Sequence, residues 1–115
     1  MKKSDTPYLG HMLDNAAKAQ KKVVTLTKSE FDTNEDVQLI LAHLIQTIGE
    51  AASKVFDTTK VAHPEIPWKD IVGMRDIVVH NYFSVDIVAT WKTISVDIPV
   101  FKEAIDKILG DLKDL

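Results

Sequence analysis

One short segment collects the residue types that handle phosphate chemistry. The stretch from Arg75 to Tyr82 reads R-D-I-V-V-H-N-Y and contains the only arginine of the chain, which has 14 basic residues. Arginine presents a rigid fork of donors that suits phosphate oxygens. Histidine moves protons near neutral pH, and a tyrosine hydroxyl can be modified or hydrogen-bonded. We therefore interpret this segment as a phosphodiester-handling site with Arg75, His80 and Tyr82 as candidate functional residues.

These side chains could cleave RNA without a metal ion, because RNA carries its own nucleophile, the 2′-hydroxyl. A base takes the hydroxyl proton, the oxygen attacks phosphorus, and an acid protonates the leaving 5′-oxygen. His80 fits the proton transfer, and Arg75 fits stabilisation of the pentacoordinate phosphorus. A single histidine cannot serve as both the base and the acid, and a two-fold dimer would bring a second copy of His80 to the site. A structural role for both residues is the alternative on spacing alone.

No pattern in the chain predicts a metal ion or a cofactor. There is no H-E-x-x-H motif, no cysteine and no dense carboxylate cluster. The four glycines are scattered at positions 10, 49, 73 and 110, so no glycine-rich phosphate loop is present. We assign no role to the other three histidines, His11, His43 and His63.

Length and composition are those of one globular domain spanning residues 1–115. The apolar fraction is 45% and the charged fraction 27%, close to the globular average. No apolar run approaches the ~18 residues of a membrane span, and the lack of cysteine suits a reducing compartment. We expect a cytoplasmic protein without a membrane partner. The net charge of −3 means that RNA binding must rest on a local patch.

Apolar residues recur at helical spacing along most of the chain. The first helix is predicted to start at Thr6 as N-cap, with Pro7 following. The second is capped by Thr33 or Asn34 and runs to about Asp57, after a polar connection at 29–35.

The third helix should begin at Pro67 or Trp68, carry the Arg75 segment, and end between Asn81 and Ser84. Ser84 or Asp86 caps a short fourth helix, and the last begins at Asp97-Ile98-Pro99. The sequence thus predicts an all-α, up-and-down bundle of about five helices.

The third helix is predicted to be apolar on almost every side, which indicates burial. Arg75 then lies in the core or in a subunit interface, where it needs an anion. Glu50 is either that counter-ion or a solvent-facing residue, and Gly49 before it predicts a close helix approach. On this helix Asp76 and His80 form an i, i+4 pair, and Tyr82 shares a stripe with Arg75.

The segment resembles the R-x-x-x-x-H-x-Y signature of HEPN-domain proteins, through Arg75, His80 and Tyr82. The closest group is the HepT-like toxins of the MNT–HEPN toxin–antitoxin systems, and the similarity covers most of the chain. It extends to I-G-E-A at 48–51, H-P-E-I-P-W at 63–68, Y-F-S-V-D at 82–86 and D-I-P at 97–99. Asp76 stands where many relatives have Asn.

The resemblance implies a dimeric helical bundle in which two copies of the signature face one cleft. It implies a metal-independent endoribonuclease toxin of a type II/VII-like toxin–antitoxin system, with Arg75 and His80 catalytic. Asp76, Glu50 and Asn81 are expected to support them. The cognate antitoxin would be a minimal nucleotidyltransferase that transfers AMP to Tyr82. The alternative for Tyr82 is a packed aromatic side chain with a local hydrogen bond.

Two other classes of function stay open on the sequence. One is a non-catalytic helical module that uses the dimer face to hold a nucleotidyltransferase. The other is a nucleotide-binding domain in which Arg75 holds a phosphate without cleaving it. Cleavage of RNA by the partner-free protein distinguishes the enzyme from both.

Overall fold

The computed structural model of the chain describes residues 5–77, 79–81 and 84–113. For residues 77, 79–81, 84 and 112–113 it describes the backbone alone. Most of the described chain is helical, which confirms the all-α class. The elements in chain order are α1 (Thr6–Val24), α2 (Lys28–Thr33), α3 (Glu35–Ser53), α4 (Asp57–Ala62), α5 (Trp68–Ile77), β1 (Val79–Asn81), β2 (Ser84–Val85), α6 (Ile87–Lys92), a π-helical stretch (Thr93–Asp97) and α7 (Ile98–Lys113).

α3 lies at the centre of this arrangement and packs against both α1 and α5, while α7 packs against α1. The apolar side chains that recur at helical spacing on these helices form one buried core. Leu9 and Met12 of α1, Ile45 of α3, Ile71 of α5 and Ile105 of α7 are all fully buried within it. None of the helices in the described part of the chain combines the length and the apolar character needed to cross a bilayer.

Two short helices, α2 and α4, were not predicted, so the described residues contain more helices than the approximate count of five from the sequence. The polar connection predicted at 29–35 is largely occupied by α2, which starts with a capping box between Thr27 and Glu30. Phe31 of α2 is fully buried and lies against Trp91, with ring centroids 4.9 Å apart. The second predicted helix stops at Ser53 instead of Asp57, and α4 follows as a separate turn.

The helix starts show which capping residues the sequence identifies. Asn34 caps α3 by accepting a hydrogen bond from the amide of Val37 at 3.1 Å, as predicted. Asp86 caps α6 through the amide of Ala89 at 2.9 Å, also as predicted. The prediction of Thr6 as N-cap is wrong by one residue, because Asp5 occupies that position.

Asp5 does not cap its own helix with its side chain. Its buried carboxylate instead accepts hydrogen bonds from the amide of Phe56, at 3.0 Å, and from the hydroxyl of Thr59. Phe56 is the N-cap of α4 and has no oxygen in its side chain to serve the free amides there. The start of α1 thus caps α4 from a distance.

The last helix does not begin anew at Asp97, which corrects that prediction. α6 continues through the π-helical stretch into α7, and the amide of Ile98 donates to the carbonyl of Thr93, five residues earlier. Pro99 lacks an amide hydrogen, and its ring would clash with the carbonyl four residues back in a regular α-helix. The wider π turn before Pro99 relieves this conflict without breaking the helix.

Candidate functional site

The N-terminal end of α5 is fixed by the connector that precedes it. The residues 63–67 separate α4 from α5, as the two prolines predict. The indole nitrogen of Trp68 donates to the carbonyl of His63 at 3.0 Å, and Trp68 is buried. Ile71 and Met74 are buried on the same helix, which sets its rotation about its own axis.

The C-terminal half of α5 lies directly on the backbone of α3. A Cβ atom at Gly49 would lie 3.1 Å from the amide nitrogen of Arg75 and 3.1 Å from the carbonyl oxygens of Ile71 and Val72. The close helix approach predicted at Gly49 is therefore confirmed. The absence of a side chain at this position allows the two backbones to meet beside Arg75.

Arg75 forms an ion pair with Glu50, the residue that follows Gly49. Its Nη1 donates to Oε2 of Glu50 at 3.0 Å, which confirms Glu50 as the counter-ion. The second carboxylate oxygen of Glu50 lies 3.9 Å from Nζ of Lys54, one helical turn further on. Two cations therefore share the carboxylate of Glu50.

Arg75 is accessible to solvent, so the prediction that it lies in the bundle core is wrong. The Arg75 side chain is 40% exposed and that of Glu50 is 57% exposed. α5 buries Ile71 and Met74 and exposes Lys69, Asp70 and Asp76, so it is not apolar on almost every side as predicted. A solute can thus reach the guanidinium. The alternative that Arg75 lies in a subunit interface stays a prediction.

Gln46 is a contact residue that the sequence reasoning missed. Its side-chain amide nitrogen lies 3.4 Å from the carbonyl oxygen of Arg75 and donates to it. The only signal in the sequence is a polar residue one helical turn before Gly49 and Glu50. Such a residue is usually interpreted as part of a solvated face.

α5 ends at Ile77, so the prediction of a helix running to 81–84 is wrong. The chain turns into a two-stranded antiparallel hairpin in which Val79 pairs with Val85 and Asn81 with Ser84. β-branched residues lose side-chain freedom in helices and favour strands, and the run 77–79 consists of Ile-Val-Val. The prediction that Asp76 and His80 are an i, i+4 pair on one helix is therefore wrong, because the backbone of His80 lies in β1. The stripe predicted for Arg75 and Tyr82 involves a residue outside the described part of the chain.

His80 occupies the irregular position of this hairpin. Between the two paired positions, β1 advances by two residues and β2 by one, so β1 has one extra residue, His80. This count is that of a β-bulge, a feature that is common beside active sites because it re-aims a side chain. His80 thus follows Arg75 by five residues in the chain, and the backbone changes from helix to strand between them.

The other predicted site residues on this segment are Asp76, Asn81 and Tyr82. Asp76 is exposed on the last turn of α5, and the backbone of Asn81 lies in β1. Tyr82 lies outside the described residues, so its predicted modification stays a prediction. In the described part of the chain, no group of three or more His, Asp or Glu side chains could hold a metal ion.

The family model that matches the chain is described as ribonuclease HepT-like and covers residues 12–108. The chain belongs to this family. Within it, the HepT-like relative from Thermococcus cleftensis, named "Probable ribonuclease HepT", is 32% identical over 108 residues, covering 94% of this chain and 98% of the relative. A protein of Methanocaldococcus jannaschii named "Putative RNase" is 33% identical over 96 residues, covering 80% and 83% of the two chains.

A third HepT-like relative, from Caldanaerobacter subterraneus and also named "Putative RNase", is 30% identical over 107 residues. It covers 93% of this chain and 96% of its own length. No solved structure matches the chain. The description of the family and the names of these three relatives are those of ribonucleases.

Proposed function

We propose that this protein is a metal-independent endoribonuclease toxin in which Arg75 and His80 act on one phosphodiester of RNA. The observation that carries the proposal is the state of Arg75, which is anchored by Glu50 at 3.0 Å and yet 40% exposed. An arginine held in place by its counter-ion and open to solvent can receive a phosphate with little loss of conformational freedom. HepT-like membership supports RNA as the source of that phosphate.

The proposed reaction is an internal transesterification. The 2′-hydroxyl loses its proton to a base, its oxygen bonds to the adjacent phosphorus, and the bond from phosphorus to the 5′-oxygen breaks. The leaving oxygen takes a proton, so the products are a 2′,3′-cyclic phosphate and a 5′-hydroxyl. His80 transfers protons, and the Arg75 guanidinium stabilises the negative charge that develops on the phosphoryl oxygens.

The test is cleavage of RNA by the purified, partner-free protein in the presence of EDTA, with the product ends identified by mass spectrometry. His80→Ala should lower the rate at least ~10²-fold, the lower range for a general acid or base. Arg75→Lys should also lower it, because a point charge does not replace the planar fork. His43→Ala is the matched control, since His43 is an exposed histidine of α3. Activity lost in EDTA and restored by magnesium would contradict the proposed reaction.

The proposal includes a homodimer of one HEPN-like helical domain that spans residues 1–115. A second copy would supply the second histidine that an acid–base pair needs, because one His80 cannot act simultaneously on both oxygens. Isologous two-fold contact brings equivalent residues together. Analytical ultracentrifugation at micromolar concentration is the test. A monomer whose sedimentation does not change with concentration, and which still cleaves RNA, would contradict the dimer.

The proposal also includes a cytoplasmic nucleotidyltransferase antitoxin that transfers AMP to Tyr82 and so silences the nuclease. A phosphate on the Tyr82 hydroxyl could compete with RNA for Arg75, since arginine favours oxyanion contacts. Co-expression of this chain with a nucleotidyltransferase from its own operon, followed by peptide mass spectrometry, tests this. The mass of AMP on the Tyr82 peptide, absent in Tyr82→Phe, is expected. Silencing without any added mass would show inhibition by binding instead.

A further inference from the structure

Three neighbouring residues of α3 contact three different parts of Arg75. Gln46 donates to the Arg75 carbonyl at 3.4 Å. Gly49 leaves room for the Arg75 amide, which lies 3.1 Å from where a Cβ atom would be. Glu50 accepts from the guanidinium at 3.0 Å. One turn of α3 thus fixes both the backbone and the side chain of this residue.

The Gln46 contact falls where α5 stops being a helix. In a continuing α-helix, the carbonyl of residue 75 would accept from the amide of residue 79. Val79 instead begins β1 and pairs with Val85. The last carbonyls of any helix need another donor, and the side chain of Gln46, which is 29 residues away in the chain, supplies one.

α3 makes the same kind of contact a second time. Gln38, eight residues before Gln46, donates its side-chain amide to the carbonyls of Phe31 at 2.8 Å and Asp32 at 3.2 Å. These two carbonyls lie in the last turn of α2, which ends at Thr33. At both places, a glutamine of α3 donates to a carbonyl in the last turn of a helix that packs beside it.

The two helices whose ends accept these glutamine hydrogen bonds, α2 and α5, are followed by different elements. After α2 the chain enters α3 itself through Asn34. After α5 it enters the strand whose bulge position is His80. The direction in which the chain leaves α5 therefore decides where His80 stands relative to Arg75.

We propose that Gln46 is a positioning residue that binds the Arg75 carbonyl in the last turn of α5 and thereby sets the placement of His80 relative to Arg75. This inference rests on the proposed function, since it assigns Gln46 to the geometry of the same pair. The role assigned to Gln46 needs no contact with the substrate. It acts through the backbone of Arg75, and its loss changes the relation between helix and hairpin.

The experiment compares Gln46→Met with Gln38→Met in the full chain. Methionine keeps the length and flexibility of glutamine and lacks the donor, so each variant removes the side-chain hydrogen bonds of one glutamine to a helix end. The first readout is the two-dimensional NMR spectrum of the His80 imidazole. We expect its ring resonances and its titration curve to shift in Gln46→Met and to match the wild type in Gln38→Met.

The second readout is RNA cleavage as a function of pH. Displacement of a catalytic group by about 1 Å can cost ~10²-fold in rate, so we expect kcat of Gln46→Met to fall ~10- to 100-fold. The KM for RNA should stay within about 2-fold, because Arg75 keeps its pair with Glu50. Gln38→Met should cleave at the wild-type rate.

The two readouts distinguish the two claims. A shifted His80 spectrum together with a wild-type protein that never cleaves RNA would support the role of Gln46 and reject the proposed nuclease. An unchanged His80 spectrum in folded Gln46→Met would reject the role of Gln46, whatever the activity. Equal changes in both variants would show that the contact is only a helix end cap and would also overturn the proposal.

Discussion

The two faces of α3 are built on different principles. The apolar face, formed by Leu41, Ile45, Ile48 and Ala52, is fully buried and contributes side chains to the core. The Arg75 face, formed by Gln46, Gly49 and Glu50, meets α5 through backbone atoms and polar groups. One helix thus joins its neighbours by side-chain packing on one side and by backbone contact on the other.

Because of this difference, the apolar face mainly determines the stability of the fold, and the Arg75 face mainly determines how α5 is positioned against α3. Side chains in a core can repack, so an interface built from them tolerates changes that conserve volume. Backbone atoms cannot move aside separately, so contact at Gly49 sets the distance between α3 and α5 with little freedom. We therefore expect substitutions on the apolar face to lower the free energy of unfolding, and those on the Arg75 face to act more on the site.

The largest loss of stability is expected on the apolar face. Ile45 is fully buried, and Ile45→Ala removes core volume, so it should lower the free energy of unfolding by about 2–5 kcal/mol. Urea denaturation followed by circular dichroism measures this. Ile45→Val is the control, with an expected loss of about 0.5–1.5 kcal/mol. Equal losses in both variants would indicate that the site collapses around the smaller side chain.

Gly49→Ala should have the next largest effect. The added methyl group would press on backbone atoms of α5 at 3.1 Å, and overpacking costs about 1–3 kcal/mol. Alanine recovers about 1 kcal/mol of helix propensity, so we expect a net loss of up to about 2 kcal/mol by thermal denaturation.

Gly10→Ala is the matched control for Gly49→Ala. Gly10 lies inside α1, and a Cβ atom there would meet no atom within 4 Å. This substitution should raise the free energy of unfolding by about 0.5–1 kcal/mol. If Gly49→Ala stabilised the protein as much as Gly10→Ala, α5 would be free to move away and the backbone contact would not fix its position.

The smallest expected change in stability is that of Glu50→Gln. The pair with Arg75 is largely exposed, and exposed ion pairs contribute about 0.2–1 kcal/mol. We expect RNA cleavage to fall more than stability, because Arg75 loses the charge that anchors its side chain. Asp32→Asn is the control, since it removes the exposed pair with Lys28 far along the chain. Equal cleavage by the two variants would argue against a supporting role for Glu50.

Local sequence signals predicted the features that depend on neighbouring residues. The caps at Asn34 and Asp86 and the connector before Trp68 are explained by short-range rules of helix ends. The contact at Gly49 was predicted because a glycine inside a helix needs a packing reason. The Glu50–Arg75 pair was one of two alternatives for Glu50, and it forms although Arg75 is not buried as predicted.

The features that were missed depend on distant partners or on competing rules. The end of α5 involves Gln46, 29 residues earlier, which no local window contains. The capping box of α2 was present as T-x-x-E at Thr27 and Glu30, but the polar composition of the segment favoured a loop. Pro99 indicated a helix start, whereas a π turn accommodated it within one continuous helix.

The bond from Asp5 to α4 has a consequence for the order of folding. It joins residues 51 positions apart, and closing so large a loop costs entropy that is recovered only when other contacts have formed. We therefore expect this bond to form after the rate-limiting step. Interactions made so late affect mainly the unfolding rate. The Asp5 bond would then lower the unfolding rate and prolong the lifetime of the native state, with little influence on the folding rate.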